Sequence, residues 1–301
     1  MSSFSYFFII KAVAGKVSEF SWEGDSMQDI VFELQDMRDL DWAVQKMSPG
    51  TPGCFLKVYE ELDDKKVYYK LSNYDSYRGI FGHECVNELI VSRVMDILGI
   101  PHAAYNLVHA LVNVDGKEME SWISVSESFR KNNEEKMAYD LYYDLEKKEN
   151  ESPLEFAIRN GWALYVYQMF CIDYLTANRD RHGGNLEVIR NSEEDSVRMA
   201  PLFDQGVSLL FSIYGDENRL DHVDVMSDFP VNNYIGTRSL EQNLSLIPVG
   251  YDLKLHPLKK EDREYIFAGL NRVLSEKHIN TIWKMIWNRW CYFEQICNKE
   301  K

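Results

Sequence analysis

No two of the five cysteines (Cys54, Cys85, Cys171, Cys291, Cys297) are spaced as Cys-x-x-Cys, and their odd number does not divide into pairs. Three of them fall in apolar, helix-like surroundings, so the cysteines read as reduced core thiols, not as a disulfide framework. Positive charge is scarce too. There are 33 Lys and Arg against 48 Asp and Glu, a formal net charge of −15. Bulk binding of nucleic acid or of an anionic membrane surface needs a basic face, which this balance argues against, although a local basic patch is compatible with it. The apolar run Ser5-Tyr6-Phe7-Phe8-Ile9-Ile10 is too short for a membrane span and lacks a basic flank or a small-residue cleavage site. It reads as a strand, and the expected location is the cytoplasm. No internal repeat is apparent.

What is present is ample apolar material, 45% of 301 residues. A chain of that size buries about three quarters of its unfolded surface, enough for one large domain or two lobes. Strand-like runs at Tyr6 to Ile10 and Ile30 to Leu34 alternate with acidic connectors. The turn-rich hexapeptide Ser48-Pro49-Gly50-Thr51-Pro52-Gly53 leads into Cys54 to Tyr59, a polar tip at Leu62 to Lys65, and Val67 to Leu71. That pattern predicts an antiparallel hairpin. Val86, Leu89, Ile90, Val94, Ile97 and Leu98 predict a helix over about 84–98, stopped by Gly99-Ile100-Pro101. Tyr105 to Val114 and Met119 to Val125 follow as strands around an Asp115-Gly116 turn. The first part of the chain thus reads as an antiparallel sheet carrying one helix.

Beyond Ser126 the character changes. Arg130 to Glu151 is charged and tyrosine-rich and reads as a solvated helix or a linker. Ser152-Pro153 starts a helix, and apolar periodicity runs from Leu154 to Thr176 with a break at Gly161. Short strands at Leu186 to Ile189 and Val197 to Leu202 flank a polar tip at Asn191 to Asp195. Helical patterns at Lys260 to Leu274 and His278 to Cys297 close the sequence, with Trp283, Trp287 and Trp290 as a core stripe on the last.

Between these elements lies the most informative stretch, Asn178-Arg179-Asp180-Arg181-His182-Gly183-Gly184-Asn185, with Phe203-Asp204-Gln205-Gly206 after the next hairpin. Phosphoryl transfer from ATP needs one carboxylate for the proton of the attacking hydroxyl, and an amide oxygen with a second carboxylate for magnesium. Asp180, Asn185 and Asp204 supply that set. Aspartate, asparagine and glycine are common turn residues, so each position alone is unremarkable; the conjunction across one hairpin carries the signal. A rival cysteine nucleophile, Cys85 near His83, lacks a third orienting group.

Asp180 to Asn185 and Phe203 to Gly206 resemble the catalytic and metal-binding loops of the HipA-like serine/threonine kinases, a group related to the phosphatidylinositol 3-/4-kinase fold. Tyr68-Tyr69-Lys70-Leu71 is similar to the family's nucleotide-lysine strand, and Asn87-Glu88-Leu89 to its helix bearing the partner glutamate. The resemblance covers roughly residues 48 to 210. It implies an α+β, two-lobed protein-kinase-like fold: an N-lobe over 1–126, with 48–126 covering the nucleotide and 1–47 an extension, and a mostly helical C-lobe over 127–301. By resemblance Asp180 is the catalytic base, and His182 steadies the loop or shares that role. Asn185 and Asp204 ligate Mg2+, and Lys70 neutralises the ATP phosphates. Periodicity leaves Glu84 and Glu88 both open as the lysine's partner; the resemblance favours Glu88.

The turn with Ser48, Gly50, Thr51 and Gly53 would cover the phosphates, although it departs from Gly-x-Gly-x-x-Gly and its prolines remove donors. By resemblance, Ser48 or Thr51 is a candidate for autophosphorylation. Val125 and Glu127 are placed near the adenine by topology alone. The cofactors implied are ATP and Mg2+, the substrate a protein, and a further partner an antitoxin-like or regulatory protein. Two other readings share these residues: a phosphoinositide or small-alcohol kinase of the same fold, and a non-catalytic nucleotide-binding partner protein.

Overall fold

A computed structural model of the chain describes residues 29–42, 55–62, 65–131, 133–213 and 216–298. The expected strand at Tyr6 to Ile10 and the turn from Ser48 to Gly53 lie outside these residues. The chain divides into two compact units, Met1–Leu89 with Ala104–Ser128, and Ile90–Ala103 with Phe129–Lys301.

The first unit holds β1 (Ile30–Asp36), β2 (Lys57–Leu62), β3 (Lys65–Leu71), β4 (Tyr74–Asp75), β5 (Gly79–Ile80), β6 (Asn106–Val114) and β7 (Lys117–Glu127). Between β5 and β6 runs α1 (Glu84–Leu98), whose residues to Leu89 belong to this unit and the rest to the second. Five of the strands form one sheet in the order β1-β6-β7-β3-β2. Its pairings are antiparallel except that β1 runs parallel to β6. Period-two alternation decides which side chains face the core. Val67, Tyr69 and Leu71 of β3, Val108, Ala110, Val112 and Val114 of β6, and Ile123 and Val125 of β7 form one buried cluster with Met37, Trp42 and Leu56. The alternate positions, Lys70 of β3 and its directly paired Ser124 of β7, are therefore turned to the other face. At the β6–β7 turn, Asp115 and Gly116 take φ of +53° and +78°, the left-handed pair of a tight hairpin.

Helix α1 has the bounds that its periodicity predicts. It ends in a Schellman cap, with Gly99 at φ +74°, Ile100 N donating to Met95 O (2.9 Å) and Gly99 N to Asp96 O (3.2 Å).

In the second unit, the charged stretch Arg130 to Glu151 is neither a single helix nor a linker. It holds β8 (Glu134–Ala138) and then α2 (Tyr139–Glu146). Three of the five β8 residues are exposed, so the strand shows no apolar alternation in sequence. It is fixed by pairing, as the partner of a strand some fifty residues on. Ser152 caps α3 (Pro153–Arg159) in a full capping box with Glu155. Gly161, at φ +80°, separates it from α4 (Ala163–Thr176), whose residues from Val166 onward are all buried. After β9 (Asp180–Arg181), β10 (Glu187–Asn191) pairs antiparallel with both β11 (Ser196–Met199) and β8.

Further on, β12 (Asn232–Asn233) pairs parallel with β9, followed by α5 (Leu240–Ser245), α6 (Asp262–Ile266) and α7 (Glu276–Asn298). The helix expected over Lys260 to Leu274 is broken: α6 covers five residues, and Gly269 at φ +76° starts a separate 3-10 turn at Leu270–Arg272. On α7, Trp290 is buried, while Trp283 and Trp287 are half-buried and stack on each other at 5.6 Å. The buried stripe is His278, Ile279, Ile282, Met285, Ile286, Arg289, Trp290 and Phe293, so Trp290 belongs to it while Trp283 and Trp287 border it. Among the described residues Cys85, Cys171 and Cys291 form no disulfide; the first two are buried and the third is half-buried, and Cys54 lies outside the described residues.

Candidate active site

Each unit gathers its own set of candidate groups. In the first, Lys70 Nζ lies 2.7 Å from Glu88 Oε1, with side-chain exposures of 12% and 1%. The other carboxylate oxygen of Glu88 accepts the Ser124 hydroxyl at 2.5 Å. Lys70 also lies over the Phe55 ring at 4.9 Å. A strand-end lysine would ordinarily carry its ammonium out to water. Here it is drawn into a nearly buried ion pair, whose desolvation makes it weak as a stability device. Glu84 belongs elsewhere: its carboxylate accepts from Asn73 N (3.3 Å) and Asn73 Nδ2 (3.0 Å), and burial raises its pKa. The two glutamates that periodicity could not separate are thus separated by their partners. Val125 is fully buried in the sheet core, and Glu127 pairs with Lys65 at 3.0 Å. Cys85 donates its thiol to Lys70 O at 3.1 Å, and burial pushes that thiol up to about 12, which leaves no thiolate for nucleophilic chemistry.

In the second unit the chain leaves α4 through Ala177, at φ +51°, and Asn178 N returns to Asp173 O at 2.9 Å. Asn178 then works with its whole amide. Its Oδ1 accepts Asp180 N (3.1 Å), and its Nδ2 donates to Asp173 Oδ1 (2.9 Å) and Gln205 Oε1 (3.1 Å). Arg181 is fully buried. It donates from Nη2 to Asp173 Oδ1 (2.7 Å), from Nε to Asp173 Oδ2 (3.1 Å), and from Nη1 to Phe203 O (2.9 Å) and Asn185 O (3.5 Å). One guanidinium therefore holds the backbone at Asn185 and the backbone just before Asp204, both from a helix carboxylate.

Asp180 is 8% exposed. Burial raises its pKa and the nearby charge of Asp204 adds to this, while His182, a hydrogen bond from Asn232 and Arg181 act the other way. His182 accepts Gly184 N on Nδ1 (3.0 Å), so its Nε2, 3.8 Å from Asp180 Oδ2, carries the proton of the neutral ring. Asn185 donates Nδ2 to Asp180 O at 2.9 Å, which fixes the amide and turns its oxygen the other way. Asp204 takes φ +58°, a left-handed conformation that aspartate tolerates and that recurs at functional sites.

Among the described residues, no group of three or more His, Cys, Asp and Glu side chains could hold a metal by itself. A nucleotide-borne magnesium asks for less, one or two hard oxygens with phosphates and water completing the shell. The oriented Asn185 amide and the Asp204 carboxylate fit that demand. Sequence reasoning missed Ser124, the Asp173–Arg181 pair and Asn232. A serine in a strand and Asn232-Asn233 in a loop carry no motif, whereas Arg181 lies inside one and gives no sign that it is buried. Ser48, Gly50, Thr51 and Gly53 lie outside the described residues.

No protein-family model matches the sequence, and no curated protein matches it. Among solved structures, the fold is similar to that of the Helicobacter pylori proinflammatory kinase CtkA, with a TM-score of 0.61 at 16% identity, over 89% of this chain and 98% of that one. HipA of the Shewanella oneidensis HipA–HipB toxin–antitoxin system, solved with its operator DNA, aligns at 13% identity and a TM-score of 0.36, over 85% of this chain and 62% of its own. The likeness to CtkA gives this chain the fold of that kinase, α+β with a mostly antiparallel sheet in its N-terminal part.

Proposed function

We propose that this chain is an ATP- and magnesium-dependent phosphotransferase of the HipA-like type, and that its acceptor is a serine or threonine hydroxyl of a protein. The observation that carries this reading is the Lys70–Glu88 pair at 2.7 Å, a costly arrangement that phosphate binding explains and stability does not. Magnesium-bound ATP would bring the γ-phosphoryl group and offset part of its charge. Lys70 neutralises phosphate oxygens and Glu88 holds its ammonium in place. Asp180 receives the proton of the acceptor hydroxyl as that oxygen bonds to the γ-phosphorus and ADP departs with the broken bridging bond. Its raised pKa suits proton acceptance, and a positioned base contributes about 10²–10⁴-fold. Asn185 and Asp204 hold the metal, and His182 steadies the loop.

A protein acceptor agrees with the charge of −15, which favours basic partners over an anionic lipid surface. Among the described residues no helix is long and apolar enough to cross a membrane. A cytoplasmic location and an antitoxin-like or regulatory partner belong to the same proposal. Incubating a cell lysate with the chain and γ-labelled ATP, then mapping phosphosites by mass spectrometry, tests it. Sites that appear with the wild type and not with Asp180→Ala support the reading; identical maps remove it.

A further inference from the structure

The segment beyond residue 215 has no assigned part in the chemistry, yet it supplies a direct contact to the proposed base. Asn232 Nδ2 donates to Asp180 Oδ1 at 3.1 Å. Among the described residues, this is the single hydrogen bond donated to that carboxylate. We propose that Asn232 is a positioning residue for phosphoryl transfer, fixing the rotation of the Asp180 carboxylate so that Oδ2 is left for the acceptor hydroxyl; this rests on the phosphotransferase reading above.

The placement of Asn232 is built, not incidental. Its own N–H donates to Arg179 O (2.9 Å) and Tyr234 N to Arg181 O (3.0 Å), so β12 brackets the catalytic segment. The loop closes on itself through Val231 N to Arg238 O (3.0 Å), with Asn233 Oδ1 accepting Ile235 N and Gly236 N. Its entry is held by Arg289 of α7, fully buried, which donates to Val225 O (2.8 Å), Ser227 O (2.7 Å) and Tyr174 O (3.0 Å). Asn232 itself is exposed, so its side chain is not filling a core. A rigid loop that delivers one amide to one carboxylate oxygen is what preorganisation requires.

The test uses the full chain. Transfer of γ-label from magnesium-ATP, the KM for ATP and the thermal midpoint are measured for wild type, Asn232→Ala, Asn232→Asp and Asp180→Ala. Asn232→Ala is expected to lose about tenfold or more in kcat, with KM and midpoint little changed. Asn232→Asp keeps the shape but sets a like charge against Asp180, so it should lose more than the alanine variant. A space-filling role gives the opposite order. If the alanine variant does not fold, the aspartate variant decides alone by the same threshold. Losses under about tenfold, with Asp180→Ala inactive, overturn the positioning role and leave the phosphotransferase reading standing. An Asp180→Ala protein as active as wild type removes that reading and this role with it.

Discussion

Arg181 and Asp173 form a two-pronged ion pair with both side chains 1% exposed, at 2.7 Å and 3.1 Å. The pair joins the buried part of α4 to two loops, because the same guanidinium also bonds the carbonyls of Phe203 and Asn185. Removing one member strands the other charge in the interior. Asp173→Ala should cost about 3–5 kcal/mol in urea unfolding. Arg181→Lys should be nearly as damaging, since an ammonium cannot reproduce the planar fork.

The second relation is the chain Ser124–Glu88–Lys70. Glu88→Gln is expected to lower kcat/KM for ATP about 10²-fold, by loosening the ammonium. Ser124→Ala should lower it less, because Lys70 keeps its partner. The combined Lys70→Ala and Glu88→Ala loss should fall well short of the sum of the single losses, as groups acting in one network are not additive. Steady-state kinetics on wild type and these five variants checks this.

The two glycines of the catalytic turn are not equivalent. A Cβ on Gly183 would meet Cβ and Cγ of Asp140 at 2.5 Å, whereas one on Gly184 would meet the His182 ring at 3.1 Å. Asp140 belongs to α2 and its Cβ cannot swing aside, while the His182 ring can shift slightly. Gly183→Ala should destabilise by about 1–3 kcal/mol and Gly184→Ala by clearly less in chemical denaturation.

Asp180 gives a pH signature of opposite sign to that of a stabilising carboxylate. Its folded pKa is raised, mainly by burial, so the folded state holds its proton more tightly than the unfolded chain does. Ionisation therefore costs stability as pH rises from the ordinary carboxylate range through the folded value, and the full cost is present above it. Asp180→Asn, which keeps an oxygen for Asn232, should melt at a higher temperature than wild type at pH 7. The gap should close in acid. The same variant should be inactive, a trade of stability for function.

Much of this was legible because it is local. Helix α1 has an apolar period, a terminal glycine and a proline, and its bounds follow from them. The β6–β7 turn is written in Asp115-Gly116, and the break between α3 and α4 in Gly161. The candidate groups Asp180, Asn185 and Asp204 are legible because glycine and asparagine must shape so tight a loop. What escaped depends on distant partners. The exposed strand β8 is defined by β10, and β1 pairs in parallel with β6, neither of which alternation reveals. Glu84 and Glu88 differ in their partners, Asn73 and Lys70, and not in their place on the helix. Asn232 gains its meaning from a two-residue pairing with β9, and Arg181 from burial.

The most direct measurement is magnesium-dependent transfer of γ-label from ATP by the purified chain, beside Lys70→Ala, Asp180→Ala and Asp204→Ala, each shown to be folded. The account predicts labelled product with the wild type, its loss when magnesium is chelated, and losses of about 10²-fold or more in every variant. Wild type and all three variants giving the same transfer, or a folded wild type giving none to any protein, would contradict it.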